Sequence, residues 1–525
     1  MNRQLNPLLF DLPEWAATYR PHQIDAINDI MSAYRRANLV ILDAPTGSGK
    51  TLIGETIGRM LQHRRLYTCS SLLLQDQIRR DYEYAKILKG RSNYPTVNRA
   101  DEFPEVSAAD CTWSLSDACF LCPEKQACAY ERAKAAALKA KLAVINSSYF
   151  LTEANGPGRL SKREFVVLDE ADTVEDTLMR HVSVDISDRR LERFRWDPPS
   201  HIGDESSWLD WLQPTILDLR NRIARLPRVF ERPSDAREAL YLTNLYSKLL
   251  GVRDGIPSGN WLYAGRTGHT RASYRIGVSF KPARIDNLAK SYLWRHADKW
   301  LLMSATVISG QEIVESLGWT KDYSVIKVRN TFPVENRRVY YRGVASMSFK
   351  NRSPETWKKL ANHVDRDLTL HMDHRVLIHT VSYELANFLK EHLTHGRPII
   401  RYHNAQGRDG ALREYLASEN GVLLAPSMGR GVDLPGDACR VQMIVKVPYP
   451  NIKDPQIAKR RSTTGGQLWY SVRTIRELVQ MCGRAIRSED DWAKTYIYDT
   501  DFSTGLWNRN RNLFPEWFRE AIVWR

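Results

Sequence analysis

Short apolar runs recur along the chain, each closed by a turn or polar segment, and several are followed by apolar residues at helical spacing. "NLVILDAPTGSGKT" predicts a buried strand over Leu39–Leu42, a glycine-bearing loop, and an amphipathic helix from about Thr51 to His63. "EFVVLDEADTVED" predicts a second short buried strand over Val166–Leu168, and "VLIHTVSYELANFL" a strand ending near Thr380 with a helix from about Tyr383. Strand-then-helix units of this kind predict an α/β fold. The pattern changes twice. From about Gly90 to Leu142 no strand pattern is present and the stretch ends in an Ala-rich helix. From about Ser187 to Ser273, "SSWLDWLQPTILDLRNRIARLPRVFERP" and "DAREALYLTNLYSKLLGVRDG" carry apolar residues at helical spacing between Pro-bearing breaks. This second stretch predicts a helical insertion with Trp208 and Trp211 in its core. "GNWLYAGRTGHTRASYRIGVSFKPARI" then predicts short strands returning to the first α/β unit.

Composition narrows the setting. At 525 residues the chain is long enough for several domains, and 43% hydrophobic with 26% charged residues is ordinary for a soluble protein. No apolar run reaches 18 residues, and the N-terminal apolar stretch is broken at once by Asp11 and Pro13, so an intracellular location is expected. The formal charge of +15 favours a polyanionic partner, with nucleic acid first.

The loop Ala44, Pro45, Thr46, Gly47, Ser48, Gly49, Lys50, Thr51 carries the chemistry of a phosphate cradle. Its two glycines free the backbone to turn N–H groups toward phosphate oxygens at a helix N-terminus. Lys50 would neutralise the β and γ phosphates, and Thr51 would ligate Mg²⁺. At the end of the second strand, Asp169 would hold the metal through its shell and Glu170 would polarise the attacking water. In "QMCGRAIRSEDD", Gln480, Arg484 and Arg487 fall at i, i+4 and i+7, so one helix face can aim all three at a γ-phosphate.

The four cysteines Cys111, Cys119, Cys122 and Cys128 are spaced C-x7-C-x2-C-x5-C, with no histidine between His63 and His181 to share ligation. A tight cluster inside the cell points to metal, and the spacing leaves an iron–sulfur cube and zinc both open. Either would give a segment of low apolar content the core it lacks.

The order of these motifs resembles superfamily 2 helicases, and within them the XPD/DinG-like iron–sulfur helicases. The resemblance rests on "YRPHQIDAI", "YTCSSLLLQDQ", "LKGRSNY", the cysteines, "VINSSYFL", "LLMSATV", "GRGVDLPGDACRVQMIVKVPYP" and "WYSVRTIRELVQMCGRAIRSEDDWAKTYIYDTDF". It spans Tyr19 to Phe502. It implies two RecA-like P-loop lobes, with an iron–sulfur insertion and a helical arch in the first. The implied boundaries are 1–89, 143–186 and 274–330 for lobe one, 90–142 for the cluster domain, 187–273 for the arch and 331–525 for lobe two. It further implies that Gln23 reads adenine, that Asp433 joins the nucleotide site, that Ser304, Ala305 and Thr306 couple that site to the strand-binding groove, and that Gln75 contacts nucleic acid. Arg91, Tyr94 and Lys134 are placed around single-stranded DNA as charge and a stacking ring.

The expected function is that of a monomeric ATP-dependent 5′ to 3′ DNA helicase acting on single-stranded and forked DNA, with ATP, Mg²⁺ and a structural [4Fe-4S] cluster. A zinc-stapled DEAD-type RNA helicase and a nucleic-acid-binding ATPase without unwinding are the alternatives. Two departures from the family pattern stand out: Thr96 where a first cysteine is usual, and DEAD at Asp169–Asp172 where DEAH is usual.

Overall fold

In the computed structural model the described residues are 6–97, 101–102, 104–111, 122–156, 160–199, 204–227, 229–265, 270–271, 274–404, 406–426, 434, 436–483, 486 and 490–524. The apolar runs become parallel strands, because a strand with helices on both faces meets apolar contacts on every side chain.

In chain order, α1 (Pro21–Ala33) leads to β1 (Leu39–Asp43), then α2 (Lys50–Met60), β2 (Arg65–Cys69), α3 (Leu72–Asp81) and β3 (Lys86–Leu88). After the cysteine segment come α4 (Ala129–Lys139), β4 (Leu142–Asn146), α5 (Ser147–Asn155), β5 (Arg163–Asp169) and α6 (Val174–Val182). The next stretch holds β6 (Val184–Ser187), α7 (Glu205–Ala224), α8 (Pro233–Gly255), β7 (Trp261–Gly265), β8 (Thr270–Arg271) and β9 (Tyr274–Pro282). Then β10 (Ala297–Ser304), α9 (Gly310–Ser316) and β11 (Tyr323–Lys327) complete lobe one.

Seven of these strands form one sheet in the order β11-β1-β10-β5-β2-β4-β3, parallel throughout. β1 and β5 thus flank β10, so the loop after β1, the carboxylates after β5 and the Ser304–Thr306 segment after β10 meet at one carboxyl edge. That edge is where open α/β sheets bind ligands. The predicted helix from Thr51 ends earlier than its pattern, at Met60, and Gln62 turns the chain with φ of 54°.

Lobe two holds β12 (Val339–Ala345), β13 (Val376–His379), β14 (Ile399–Arg401), β15 (Val422–Ala425), β16 (Val441–Ile444), α10 (Pro455–Ser462), α11 (Gly466–Cys482), β17 (Lys494–Asp499) and β18 (Ile522–Trp524). Its sheet runs β14-β15-β13-β16-β17-β12-β18, again parallel.

One expectation is corrected. The strands after the helical insertion do not return to the lobe-one sheet: β9 pairs antiparallel with β7 on one side and with β6 on the other. Aromatic rings explain this. Trp208 of α7 is fully buried, its ring 5.3 Å from Phe280 of β9 and edge-on to Trp211 at 5.8 Å. The strands therefore form the floor under α7 and α8, and both tryptophans are core residues of that unit.

Candidate nucleotide and nucleic-acid site

The loop after β1 is held from beneath by α1. Gln23 donates to Ser48 O at 3.0 Å while its amide oxygen accepts Arg20 N–H at 2.9 Å. Arg20 reaches Gly47 O at 3.2 Å. Gln23 is buried with both amide ends engaged and braces the phosphate loop from beneath. Gly47 and Gly49 both adopt φ of 81°, where a side chain is strained. Lys50 opens α2 and folds back toward Ala44 O at 3.2 Å and Pro45 O at 3.4 Å. Thr46 and Ser48 lie in the same turn, ahead of Thr51.

Thr51 and Asp169, the two side chains expected at the metal, are bridged by Tyr67. Its hydroxyl lies 3.4 Å from Thr51 Oγ1 and donates to Asp169 Oδ2 at 2.7 Å. Burial pushes the Asp169 carboxyl above the usual carboxylate range, and Lys50 opposes that push. Tyr67 went unnoticed in the sequence because it sits mid-strand in "RLYTC", where its ring reads as core. Glu170 is held in the left-handed region at φ 51°, a conformation that an unstrained loop would avoid.

The first lobe meets the second through Gln480. Its Nε2 donates to Asp172 Oδ2 at 2.8 Å and to Thr306 Oγ1 at 2.8 Å. Asp172 Oδ1 in turn accepts from Ser304 Oγ at 2.7 Å, and Ser304 Oγ accepts Thr306 N–H at 3.0 Å. Arg484, Arg487 and Asp433 lie outside the described residues.

The α11 face that carries Gln480 continues toward its N-terminus with residues no motif marked. Arg476 pairs with Glu312 at 3.0 Å and reaches Thr306 O at 3.3 Å. Arg473 grips Asp176 at 2.7 and 3.0 Å, and Trp469 donates to Glu175 at 2.9 Å. Arg460 of α10 meets Glu175 and Ser316 at 3.4 and 2.8 Å. Positions 469, 473, 476 and 480 repeat at helical spacing, so one stripe of α11 faces lobe one.

Of the residues assigned to nucleic acid, two are internal. Gln75 is fully buried and donates to Leu88 O at 3.2 Å, where it fastens β3, while Leu72 and Leu73 are the exposed residues of that turn. Lys134 is buried against Glu153 at 2.7 Å, an acid that also accepts from Tyr130 and Tyr149. A carboxylate in that place needs a cation, and Lys134 supplies it. Tyr94 packs edge-on to Tyr130 at 5.7 Å and its hydroxyl accepts Lys89 N–H at 3.1 Å. Arg91 lies 4.6 Å over the Tyr130 ring.

Cys111, Cys122 and Cys128 line one recess with Arg91, Lys125 and Tyr130, and burial raises the Cys122 thiol above its ordinary range. Among the described residues no three ligating groups stand close enough to hold an ion by themselves. Cys119 lies outside the described residues. The donor set fits a thiolate-bound metal in kind, since three thiols line one recess.

Three protein families match in sequence along the chain: a Type III restriction enzyme res subunit over residues 17–114, DEAD_2 over 75–191 and a helicase C-terminal domain over 366–521. The S. cerevisiae ATP-dependent DNA helicase CHL1 is 22% identical over 240 residues, 39% of this chain and 27% of that protein. A Gallus gallus Fanconi anemia group J protein homolog is 29% identical over 119 residues, 20% of this chain and 9% of that protein. The chain thus spans under a third of the length of these curated relatives. A solved XPD helicase superposes with a TM-score of 0.65 at 16% identity, over 97% of this chain and 100% of that one. S. tokodaii Xpd4 does so at 0.57 and 15%, over 96% and 100%. Two parallel-sheet lobes, the first with a phosphate loop between β1 and α2, define a RecA-like P-loop fold. Over nearly its whole length the chain has the fold of these XPD helicases, and its sequence is similar to the DEAD_2 and helicase C-terminal families over the segments given.

Proposed function

We propose that this chain is an ATP-dependent helicase that moves 5′ to 3′ along single-stranded DNA and opens duplexes, with its cysteine insertion stapled by a [4Fe-4S] cluster. The observation that carries the reading is Gln480: one amide of lobe two bonds at once to Asp172, beside the phosphate site, and to Thr306 after β10. A nucleotide between the lobes would be felt by both.

In this reading Lys50 neutralises phosphate charge, Thr51 and Asp169 hold Mg²⁺, and Glu170 orients water. The Mg²⁺ they would hold supplies positive charge to offset the charge that develops on the phosphate. Tyr67 keeps Thr51 and Asp169 within reach of one another. Arg484 and Arg487 approach the γ-phosphate from lobe two, and closing and reopening of the cleft moves the strand. The net charge of +15 supports a nucleic-acid track, and the name of the S. cerevisiae relative supports DNA. Cys111, Cys119, Cys122 and Cys128 would hold the cluster, whose contribution is to cross-link a segment poor in apolar contacts.

The test is unwinding of matched duplexes bearing a 5′ or a 3′ single-stranded tail, by anaerobically purified protein with ATP and Mg²⁺. Opening only of the 5′-tailed duplex is expected, and opening only of the 3′-tailed one overturns the polarity. Lys50→Ala and Arg484→Ala are expected to abolish DNA-stimulated hydrolysis, the second by about 10³-fold or more. Iron and acid-labile sulfide in equal amounts are expected, and zinc in their place overturns the cluster assignment.

A further inference from the structure

In the lobe-two sheet β16, β17 and β12 are neighbours, so the segments that follow them meet at one carboxyl edge. Asp499, the last residue of β17, fastens these segments together. Its buried carboxylate accepts Met347 N–H at 3.0 Å from the segment after β12 and Val447 N–H at 2.9 Å from the segment after β16. It also accepts Asp501 N–H at 3.0 Å from its own segment. Hydrogen bonds from backbone N–H groups to a carboxylate are among the strong ones, so the roots of the two turns beyond Met347 and Val447 are fixed.

Those turns carry a ring and a cation. Residues 349–352 and 451–455 are exposed, Phe349 at 69% and Ile452 at 54%. Lys453 of the second turn places its Nζ 4.2 Å from the centre of the Phe349 ring. Internal bonds shape both turns: Asn351 N–H reaches Ser348 O at 3.2 Å in the first, and Lys453 N–H reaches Asn451 Oδ1 at 3.1 Å in the second. The charge around the ring is basic. Arg352 is paired with Glu384, and the Asp454 carboxylate accepts Gln456 N–H at 2.8 Å at the start of α10, so Lys350 and Lys453 are the charges beside the ring.

Two contacts locate the patch. Tyr449, in the segment after β16, stacks on Tyr470 of α11, about 15 Å along that helix from Gln480, so the patch lies apart from the phosphate site. From α10, which follows the second turn, Gln456 donates to Pro282 O of β9 at 2.7 Å and Lys459 to Trp261 O of β7 at 3.1 Å. The patch therefore flanks the junction of lobe two with the helical insertion of lobe one.

We propose that Phe349 and Lys453 form a stacking subsite for single-stranded nucleic acid on lobe two, with a base on the open part of the ring and the Lys453 ammonium at the adjoining phosphate. One exposed phenyl needs no explanation by itself. A phenyl on a fixed turn, with an ammonium at its face and a second lysine next to it in the chain, has the aromatic-and-cation chemistry of single-strand tracks. The inference rests on the helicase reading and adds to it a named contact on lobe two.

The experiment measures equilibrium binding of a fluorescein-labelled oligo-dT, without nucleotide, to wild type, Phe349→Ala, Phe349→Trp and Lys453→Gln in the full chain, with thermal unfolding as the control for folding. Phe349→Ala is expected to weaken binding at least about 5-fold, and Phe349→Trp to stay within about 2-fold of wild type or bind more tightly. Lys453→Gln is expected to flatten the dependence of log Kd on log salt by about 0.7, which Phe349→Ala leaves as it is. Ultraviolet cross-linking of the same oligonucleotide carrying 5-iododeoxyuridine is expected to mark Phe349. Unchanged affinity in Phe349→Ala, with wild type still binding DNA and unwinding it, overturns the subsite alone and leaves the ring to a protein partner. Equal loss in Phe349→Trp overturns stacking as its basis. A wild type that does not bind single-stranded DNA removes the helicase reading, and the subsite with it.

Discussion

Gly49 shows how narrowly the phosphate loop is set. A Cβ placed on it would lie 2.3 Å from Gln23 Nε2, and its φ of 81° is one that alanine adopts only under strain. Gly49→Ala must therefore push away the brace under Ser48 and at the same time carry about 1–2 kcal/mol of backbone strain. The expected outcome is a fold that survives with a slightly lowered thermal midpoint, and ATP hydrolysis at least 10-fold slower. Gln23→Ala leaves the glycine unstrained but removes the brace, and should mainly raise KM for ATP. Steady-state kinetics on both variants separates the two effects, and a Gly49→Ala enzyme with wild-type rate would show that the loop does not need its observed shape. At this scale the sequence was informative where chemistry and local conformation coincide: the glycines, Lys50, Asp169 and Glu170 announce themselves by spacing. Gln23, Gln75 and Lys134 did not, because each side chain is spent on a partner 13 to 25 positions away along the chain, and such a partner leaves no local pattern.

Among the elements, α11 carries the lobe contact along its length. Arg476 and Glu312 are both buried, at 6% and 4% side-chain exposure, so removing either leaves an uncompensated charge. Breaking such a pair typically costs about 3–5 kcal/mol, whereas replacing both partners with apolar groups can be nearly neutral. Arg476→Met is therefore expected to be strongly destabilising to the lobe contact, and Arg476→Met with Glu312→Leu much less so. Thermal unfolding of the two single variants and the double variant measures this, and additive losses would mean that the pair does not act as one unit. Sequence periodicity predicted a face shared by Gln480, Arg484 and Arg487, but α11 ends at Cys482 and the two arginines lie outside the described residues. It did not reveal that the same face runs back through Arg476, Arg473 and Trp469, because their partners sit on α6 and α9, some 160 to 300 residues earlier. The same limit explains β7 and β9. Their strand character was legible, but the pairing of β9 with β6 and β7 depends on Trp208 and Phe280 meeting across the insertion.

For the whole molecule, acid should pull stability in two opposite directions. His181, His296 and His371 are each pushed down to about 4, foremost by burial, with neighbouring cations adding to it. Between pH 6.5 and 4 the unfolded chain would protonate these rings and the folded one would not, so their contribution to stability is lost as pH falls through that window. Burial acts oppositely on carboxyls: Asp43 and Asp499 rise to about 6 and Glu175 to about 7. These groups keep a proton in the folded chain that the unfolded chain releases near pH 4. Their contribution is present in acid and is lost as pH rises through 6 to 7. Three groups of each kind titrate across nearly the same range, so the proton counts of folded and unfolded chains stay close. The thermal midpoint is expected to be almost level between about pH 4.5 and 6. His181→Gln removes one of the opposing groups and should tilt that plateau, with stability rising toward acid by up to about 1.4 kcal/mol per pH unit for each unbalanced proton. A midpoint in His181→Gln that stays level, or falls with acid, would mean that His181 is not held neutral in the folded chain and that the balance is struck elsewhere.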